Sequence, residues 1–178
     1  MPLNSNFFRI GRVLGRGAFG KVQLAMDKLT DNLVAIKSII KKDVNKEERD
    51  RAEQEMELLK ECDHKHVVRV FNSFETVKHT CFVMELCCGG DLQSFYKRRR
   101  RLKQEVAKYV FKQLLLGLDY LHTKKLVVHR DIKPENILLD SHGKLKIGDF
   151  GVSRKLRRKT QRMSEQCGTP AYIAPEII

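Results

Sequence analysis

Apolar and polar positions alternate through the first forty residues. "FRIGRVLG", "KVQLAM" and "LVAIKSII" read as strands within residues 7–40, with Val22, Leu24 and Met26 alternating in the second and "KLTDN" as the turn between the last two. The period then changes. Ala52, Met56 and Leu59 recur at spacings of four and three, which predicts a helix over 44–61. "VVRVFNSFE" and "TCFVMELC" return to the strand period. From residue 91 the pattern is helical again, and "EVAKYVFKQLLLGLDYLH" predicts an apolar-faced helix with the weight of a core element. Short strands follow in "ILLD" and "KLKIGDFG", joined by the turn "SHGK". "CCGG" breaks the pattern and places a hinge near 85–90. The order predicts an α+β fold, with a β-rich first part (1–86) and an α-rich second part (87–178).

Composition adds bounds. The 178 residues are 42% hydrophobic and 32% charged, as expected of one soluble domain or a small two-lobed unit. No apolar run reaches the roughly 18 residues of a membrane span, and the start, "MPLNSNFFRIGRVL", lacks the apolar centre of a secretory signal. Five cysteines form no CxxC pair and read as reduced thiols of an intracellular protein. Cys62, His64 and His66 fit no zinc spacing. The net charge of +13 favours polyanionic partners, namely phosphates, acidic protein surfaces or nucleic acid, with no sequence-specific nucleic-acid binding expected. Much of it sits in "KRRRRLK" (97–103) and "RKLRRKTQR" (154–162). The first run reads as a solvated face, with a docking patch or a nuclear address as the alternatives.

Three stretches carry candidate chemistry. "LGRGAFGKV" holds Gly15, Gly17 and Gly20. A dinucleotide-binding turn needs a helix after the third glycine, whereas the strand period of "KVQLAM" makes this a flap between strands, whose backbone N–H groups can approach phosphates. An ordinary glycine-rich hairpin remains the plainer reading. In "VAIK", alternation puts Val34 and Ile36 on one face and Ala35 and Lys37 on the other. Ala35 is small enough for a flat heterocycle, and Lys37 needs an anion to stay charged on an apolar face. Glu53, Glu55 and Glu57 are the candidates. Glu55 is preferred because it borders the Met56/Leu59 stripe, while Glu53 and Glu57 read as solubilising the helix. Finally, "HRDIKPEN" sets polar residues between "LVV" and "ILL". Asp131 can accept a proton from a hydroxyl, Lys133 can neutralise a transferred group, and Asn136 with Asp149 of "DFG" can offer oxygens to Mg²⁺.

The set "GRGAFGKV", "VAIK", "HRDIKPEN", "DFG" and "GTPAYIAPE" resembles the eukaryotic protein kinases in order and spacing. "KPEN" and "GTPAY" look like the serine/threonine branch, and the texture resembles calcium/calmodulin-dependent and AMP-activated kinases. The resemblance implies a two-lobed kinase fold and transfer of the γ-phosphate of ATP to Ser/Thr hydroxyls of protein substrates. Asp131 would be the catalytic base, Lys133 would steady the γ-phosphate, and Thr169 would contact both. Asn136 and Asp149 would bind Mg²⁺. The flap of Leu14, Gly15, Arg16, Gly17, Ala18, Phe19, Gly20, Lys21 and Val22 would cover ATP, and Lys37 paired with Glu55 would hold its α- and β-phosphates. Val22, Ala35 and Leu138 would sandwich adenine. Met84 would guard the back of the pocket, Glu85 and Cys87 would meet the adenine edge through their backbone, and Asp91 would reach the ribose. Leu59, His129 and Phe150 would stack as an internal spine.

Two departures stand out. The sequence stops at Ile178, two residues past "APE", where kinases of this fold continue through more helices, so the expectation is a C-terminally truncated kinase. Apolar surface on the helix at 104–122 is then expected to be exposed. Glu165 stands where related kinases often carry a phosphorylated threonine, with Ser164 and Thr160 as alternative sites for an upstream kinase. A non-catalytic fragment that binds ATP or a partner is the competing function class. A cytoplasmic location is expected, with the nucleus as the alternative.

Overall fold

The structure is a computed structural model describing residues 4–17, 20–41, 46–158, 161, 163 and 167–177. The chain divides into two compact units, one of Met1–Glu61 with Arg69–Leu86 and one of Cys62–Val68 with Cys87–Ile178.

The first unit is built on strands β1 (Phe8–Gly17), β2 (Gly20–Asp27), β3 (Leu33–Ile40), β4 (Val70–Glu75) and β5 (His79–Met84), with helix α1 (Lys46–Lys60) between β3 and β4. All neighbours pair antiparallel in the order β1-β2-β3-β5-β4. The strand period has the expected consequence. Phe8, Ala25, Val34, Ile36, Phe74, Cys81 and Val83 form one buried cluster, in which the Phe8 and Phe74 rings stack at 5.6 Å. Directly paired residues share a face, so Val22, Leu24, Ala35, Lys37, Phe82 and Met84 line the opposite side. Gly20 is needed for the approach of β2 to β3, because a Cβ there would overlap the Ser38 carbonyl.

The second unit carries β6 (Gly90–Asp91), α2 (Leu92–Arg99), α3 (Gln104–Asp119) continued by a π-helical turn (Tyr120–Lys125), β7 (Val127–Val128), β8 (Ile137–Leu139), β9 (Leu145–Ile147) and β10 (Arg154–Lys155). β6, β8 and β9 form one small antiparallel sheet, and β7 pairs with β10. The segment 67–69, expected to belong to the next strand, departs from that expectation. Val67 bridges Ile147 in parallel, the Val68 N–H donates to the Ile147 carbonyl, and the Ile147 N–H donates to the His66 carbonyl, both at 2.9 Å. These bonds group Cys62–Val68 with residues 87–178.

The long helix also departs from expectation. Its buried line is Gln113, Gly117 and Leu121, four residues apart. Gln113 is buried because its side-chain oxygen accepts the Leu145 N–H at 3.2 Å, tying α3 to β9. The apolar residues Phe111 and Leu115 are instead 60% and 52% exposed, with Leu116 beside them. Exposure of this face was expected from the sequence, whereas a core role for its largest side chains was not met. An apolar patch of this kind drives association in water. The 178-residue chain alone should therefore sediment as concentration-dependent oligomers. Phe111→Ser with Leu115→Ser should restore monomers without lowering the midpoint of thermal unfolding. Unchanged oligomers in the double variant would contradict this.

Candidate active site

In the first unit the glycine stretch lies where two strands meet. Gly15 pairs with Val22, Arg16 with Lys21 and Gly17 with Gly20, while Ala18 and Phe19 lie outside the described residues. A strand, not a helix, follows Gly20, which removes the dinucleotide turn as an explanation. The register sets Val22 opposite Lys37, Leu24 opposite Ala35, and Ala35 opposite Met84. Leu14 is exposed on β1.

Lys37 Nζ meets both Glu55 oxygens, at 2.7 and 2.9 Å. The Glu55 side chain is 3% exposed and that of Lys37 22%. A carboxylate buried to that degree requires its cation, and removing one partner of such a pair costs about 3–5 kcal/mol. Glu53 does more than solubilise α1, since it accepts the Thr80 hydroxyl at 3.3 Å and fastens the helix to β5. Glu57 pairs with Lys60 on the exposed side. At the end of β5, the Glu85 N–H donates to the Arg69 carbonyl at 2.9 Å.

In the second unit four groups converge on Asp131. Its Oδ1 accepts the Thr169 N–H at 2.9 Å and the Thr169 hydroxyl at 2.7 Å. Its Oδ2 meets Lys133 Nζ at 2.8 Å and Asn136 Nδ2 at 3.0 Å. Lys133 also donates to Thr169 Oγ1 at 2.7 Å. Burial pushes the Asp131 carboxyl up, but the bonds from Lys133 and Thr169 outweigh it and hold the group below its ordinary value. Lys133 is held above its own ordinary value, chiefly by its hydrogen bond to Asp131. Asp131 is therefore an anion near neutral pH.

The backbone is strained beside Asp131 and again just after β9. Arg130 and Asp149 adopt left-handed φ angles of 68° and 55°, a conformation costing a non-glycine residue about 1–2 kcal/mol. Arg130 Nε donates to the Val152 carbonyl at 2.6 Å. Gly168 has φ 109°, and a Cβ there would lie 2.5 Å from the Arg130 carbonyl oxygen. Only glycine lets the chain pass so close that Thr169 reaches Asp131.

His129 is buried, its ring edge-on to Phe150 at 4.8 Å. Its Nε2 lies 2.8 Å from the Gly148 carbonyl and must donate. Its Nδ1 then accepts the Asp131 N–H at 3.3 Å, which makes the ring neutral. Burial, its largest influence, holds the His129 pKa down in agreement. Leu59 is buried within the first unit.

Three further positions were named from sequence. Asp91 caps α2, with Oδ1 accepting the Ser94 N–H at 2.7 Å and Oδ2 the Ser94 hydroxyl at 2.8 Å. Its carboxylate is thus already committed to the helix. Leu138 pairs with Asp91 and Lys146. Cys87 is a half-buried thiol. Thr160, Ser164 and Glu165 lie outside the described residues. Glu135, between Lys133 and Asn136, was passed over. It accepts Gln93 Nε2 with one oxygen and buries the other without a partner.

The oxygen set suits Mg²⁺. With Asn136 Nδ2 spent on the Asp131 side chain and carbonyl, the oxygen is the part of the amide left for a cation. Asp149 is an exposed carboxylate on a strained backbone. One carboxylate and one amide oxygen fit a small hard ion that keeps water and phosphate as its other ligands.

Residues 8–178 match the protein kinase domain family, and the chain belongs to it. It is 38% identical to the serine/threonine protein kinase OSK3 of Oryza sativa over 172 residues, which cover 96% of this chain and 34% of that protein. It is 37% identical over 173 residues to the human NUAK family SNF1-like kinase 1, covering 96% of this chain and 26% of that one. CBL-interacting protein kinase 30 of Oryza sativa is 38% identical over 174 residues, or 96% and 36% of the two chains. The chain thus spans about a third or less of the length of these relatives. They place it with the serine/threonine kinases, in the AMP-activated and calcium/calmodulin-dependent branch.

The buried neutral histidine has a consequence for pH. The unfolded chain takes up a proton at His129 below its ordinary pKa of 6.5, and the folded chain resists doing so. Unfolding is therefore favoured as pH falls through that value. His64 and His66 are held down by burial and add in the same direction. Asp131 acts at lower pH, its contribution being lost as the carboxylate is protonated below 3.8. Urea midpoints should drop between pH 7.5 and 5.5, and the drop should shrink in His129→Gln. An equal drop in both proteins would contradict the assignment.

Proposed function

We propose that the protein transfers the γ-phosphate of ATP to Ser or Thr hydroxyls of protein substrates. The convergence of Lys133, Asn136 and Thr169 on an ionised Asp131 carries this reading. A carboxylate accepts about four hydrogen bonds, and Asp131 already receives four. Its reaction with an alcohol thus requires one donor to leave. Lys133 is the mobile one, a flexible cation with an affinity for phosphate. When Lys133 turns to the γ-phosphate, Oδ2 regains a lone pair, and the substrate hydroxyl can donate to it. The alcohol oxygen then forms a bond to the γ-phosphorus, its proton passes to Asp131, and the bond to ADP breaks. Thr169, bonded to Oδ1 through both backbone and hydroxyl, keeps the carboxylate aimed throughout.

Lys37, held upright by Glu55, supplies a cation for the α- and β-phosphates. Val22, Ala35 and Met84, on the same sheet face as Lys37, give a flat apolar surface for adenine. Asn136 and Asp149 would hold Mg²⁺, which neutralises charge on the phosphate oxygens. The exposed α3 face favours a second reading, in which this stretch alone serves as a binding module.

Transfer of labelled γ-phosphate from ATP to a serine-containing basic peptide separates the two. Asp131→Asn keeps the shape and the Thr169 contact but removes the base, and should lower the rate about a thousandfold. Equal rates in the two proteins would overturn the proposal.

A further inference from the structure

The run at 97–103 takes no part in the chemistry above. It spans the last turn of α2 and the link to α3, and Lys97, Arg98, Arg99, Arg100, Arg101 and Lys103 are all exposed. Among the described residues Arg98, Arg100, Arg101 and Lys103 have no acidic partner, whereas Lys41, Lys60 and Lys133 each have one. Cations in a last helical turn complement the helix dipole, which accounts for Lys97, Arg98 and Arg99. It does not account for the residues beyond the helix.

The backbone is also unfavourable here. Arg100 has φ 60° and ψ −35°, and the Arg101 N–H donates to the Arg99 carbonyl at 2.7 Å. These values describe a three-residue turn with positive φ, a rare and strained conformation. Glycine is the residue that relieves such a position after a helix. The chain instead places an arginine there, with an arginine on each side, and so adds like-charge repulsion to backbone strain. Arg99 is further held by its guanidinium lying 4.3 Å over the Phe95 ring. Strain and repulsion retained where folding gains nothing point to recognition.

We propose that this turn is a docking site for a protein segment bearing a run of carboxylates. Guanidinium groups bind carboxylates through two parallel N–H···O bonds, and four successive arginines bent around a tight turn present several such forks within one short peptide's reach. Two other polyanions fit less well. Binding of single-stranded nucleic acid uses exposed aromatic faces for stacking, and in this stretch Phe95 lies beneath Arg99 while Tyr96 is half-buried. Membrane association combines basic residues with exposed apolar side chains that insert, and Leu102, the apolar residue of the run, is half-buried.

Fluorescence anisotropy of a labelled octaglutamate peptide with the full chain tests the site. Parallel arms use an octaglutamine peptide, a poly-uridine oligomer and phosphatidylserine vesicles. Octaglutamate should bind and octaglutamine should not. Replacing Arg98, Arg99, Arg100 and Arg101 by Gln should weaken octaglutamate at least tenfold. Replacing Arg9, Arg12, Lys124 and Lys125 by Gln removes the same net charge and should change it less than twofold. Arg100→Gly should weaken binding severalfold while raising the midpoint of thermal unfolding, an opposition that damage to the fold cannot produce. Equal weakening by the two quadruple replacements overturns the proposal. So does a stronger dependence of RNA or vesicle binding on the four arginines than of octaglutamate binding.

Discussion

Thr169 reaches Asp131 from 38 residues further along the chain, and the candidate site depends on that contact. The other groups around the carboxylate, Lys133 and Asn136, come from the same loop and are close by sequence alone. Thr169 is brought in by the chain after β10, and it arrives only because Gly168 passes the Arg130 carbonyl without a side chain. One strained backbone, at Arg130, and one obligatory glycine thus flank a single charged group. The strain is local, and the bonds made to Asp131 offset it. A loop of this kind keeps the Asp131 carboxylate ionised and fixes its orientation.

The Lys37–Glu55 pair plays the matching part in the first unit. It fixes a cation on a sheet face that otherwise carries the apolar Val22, Leu24, Ala35, Phe82 and Met84. Its position follows from two periodicities, the strand alternation that turns Lys37 away from the Val34/Ile36 core and the helical spacing that sets Glu55 beside Met56 and Leu59. Glu53, bonded to Thr80, keeps α1 close enough for the pair to form.

Features set by short-range periodicity were legible in the sequence. The five strands of the first unit, β8, β9, α1, the face of Lys37 and the choice of Glu55 all follow from counting residues, whereas the two-residue strands β6, β7 and β10 do not. What depended on long-range packing was not legible. Arg69 follows an apolar pair that looks like the start of a strand, yet Val67 and Val68 bond to Ile147 some eighty residues away. The helix α3 looks like a core element because its apolar residues are many, yet Gln113 and Gly117 form its buried line. A glutamine with a partner and a glycine permitting close approach bury more readily here than large side chains. Asp91 was named through the family resemblance, and its role as the cap of α2 left no signal that was used. The strained turn at Arg100 left no signal in a run that reads simply as basic.

The state of Asp131 is the most direct test of this account. Its side-chain carboxyl carbon can be followed by NMR as pH is lowered, in the unaltered protein and in Thr169→Val. The unaltered group should titrate below 3.8, and loss of the threonine hydroxyl should move its midpoint upward. A midpoint at or above the ordinary aspartate value in the unaltered protein, or one indifferent to Thr169, would contradict the account.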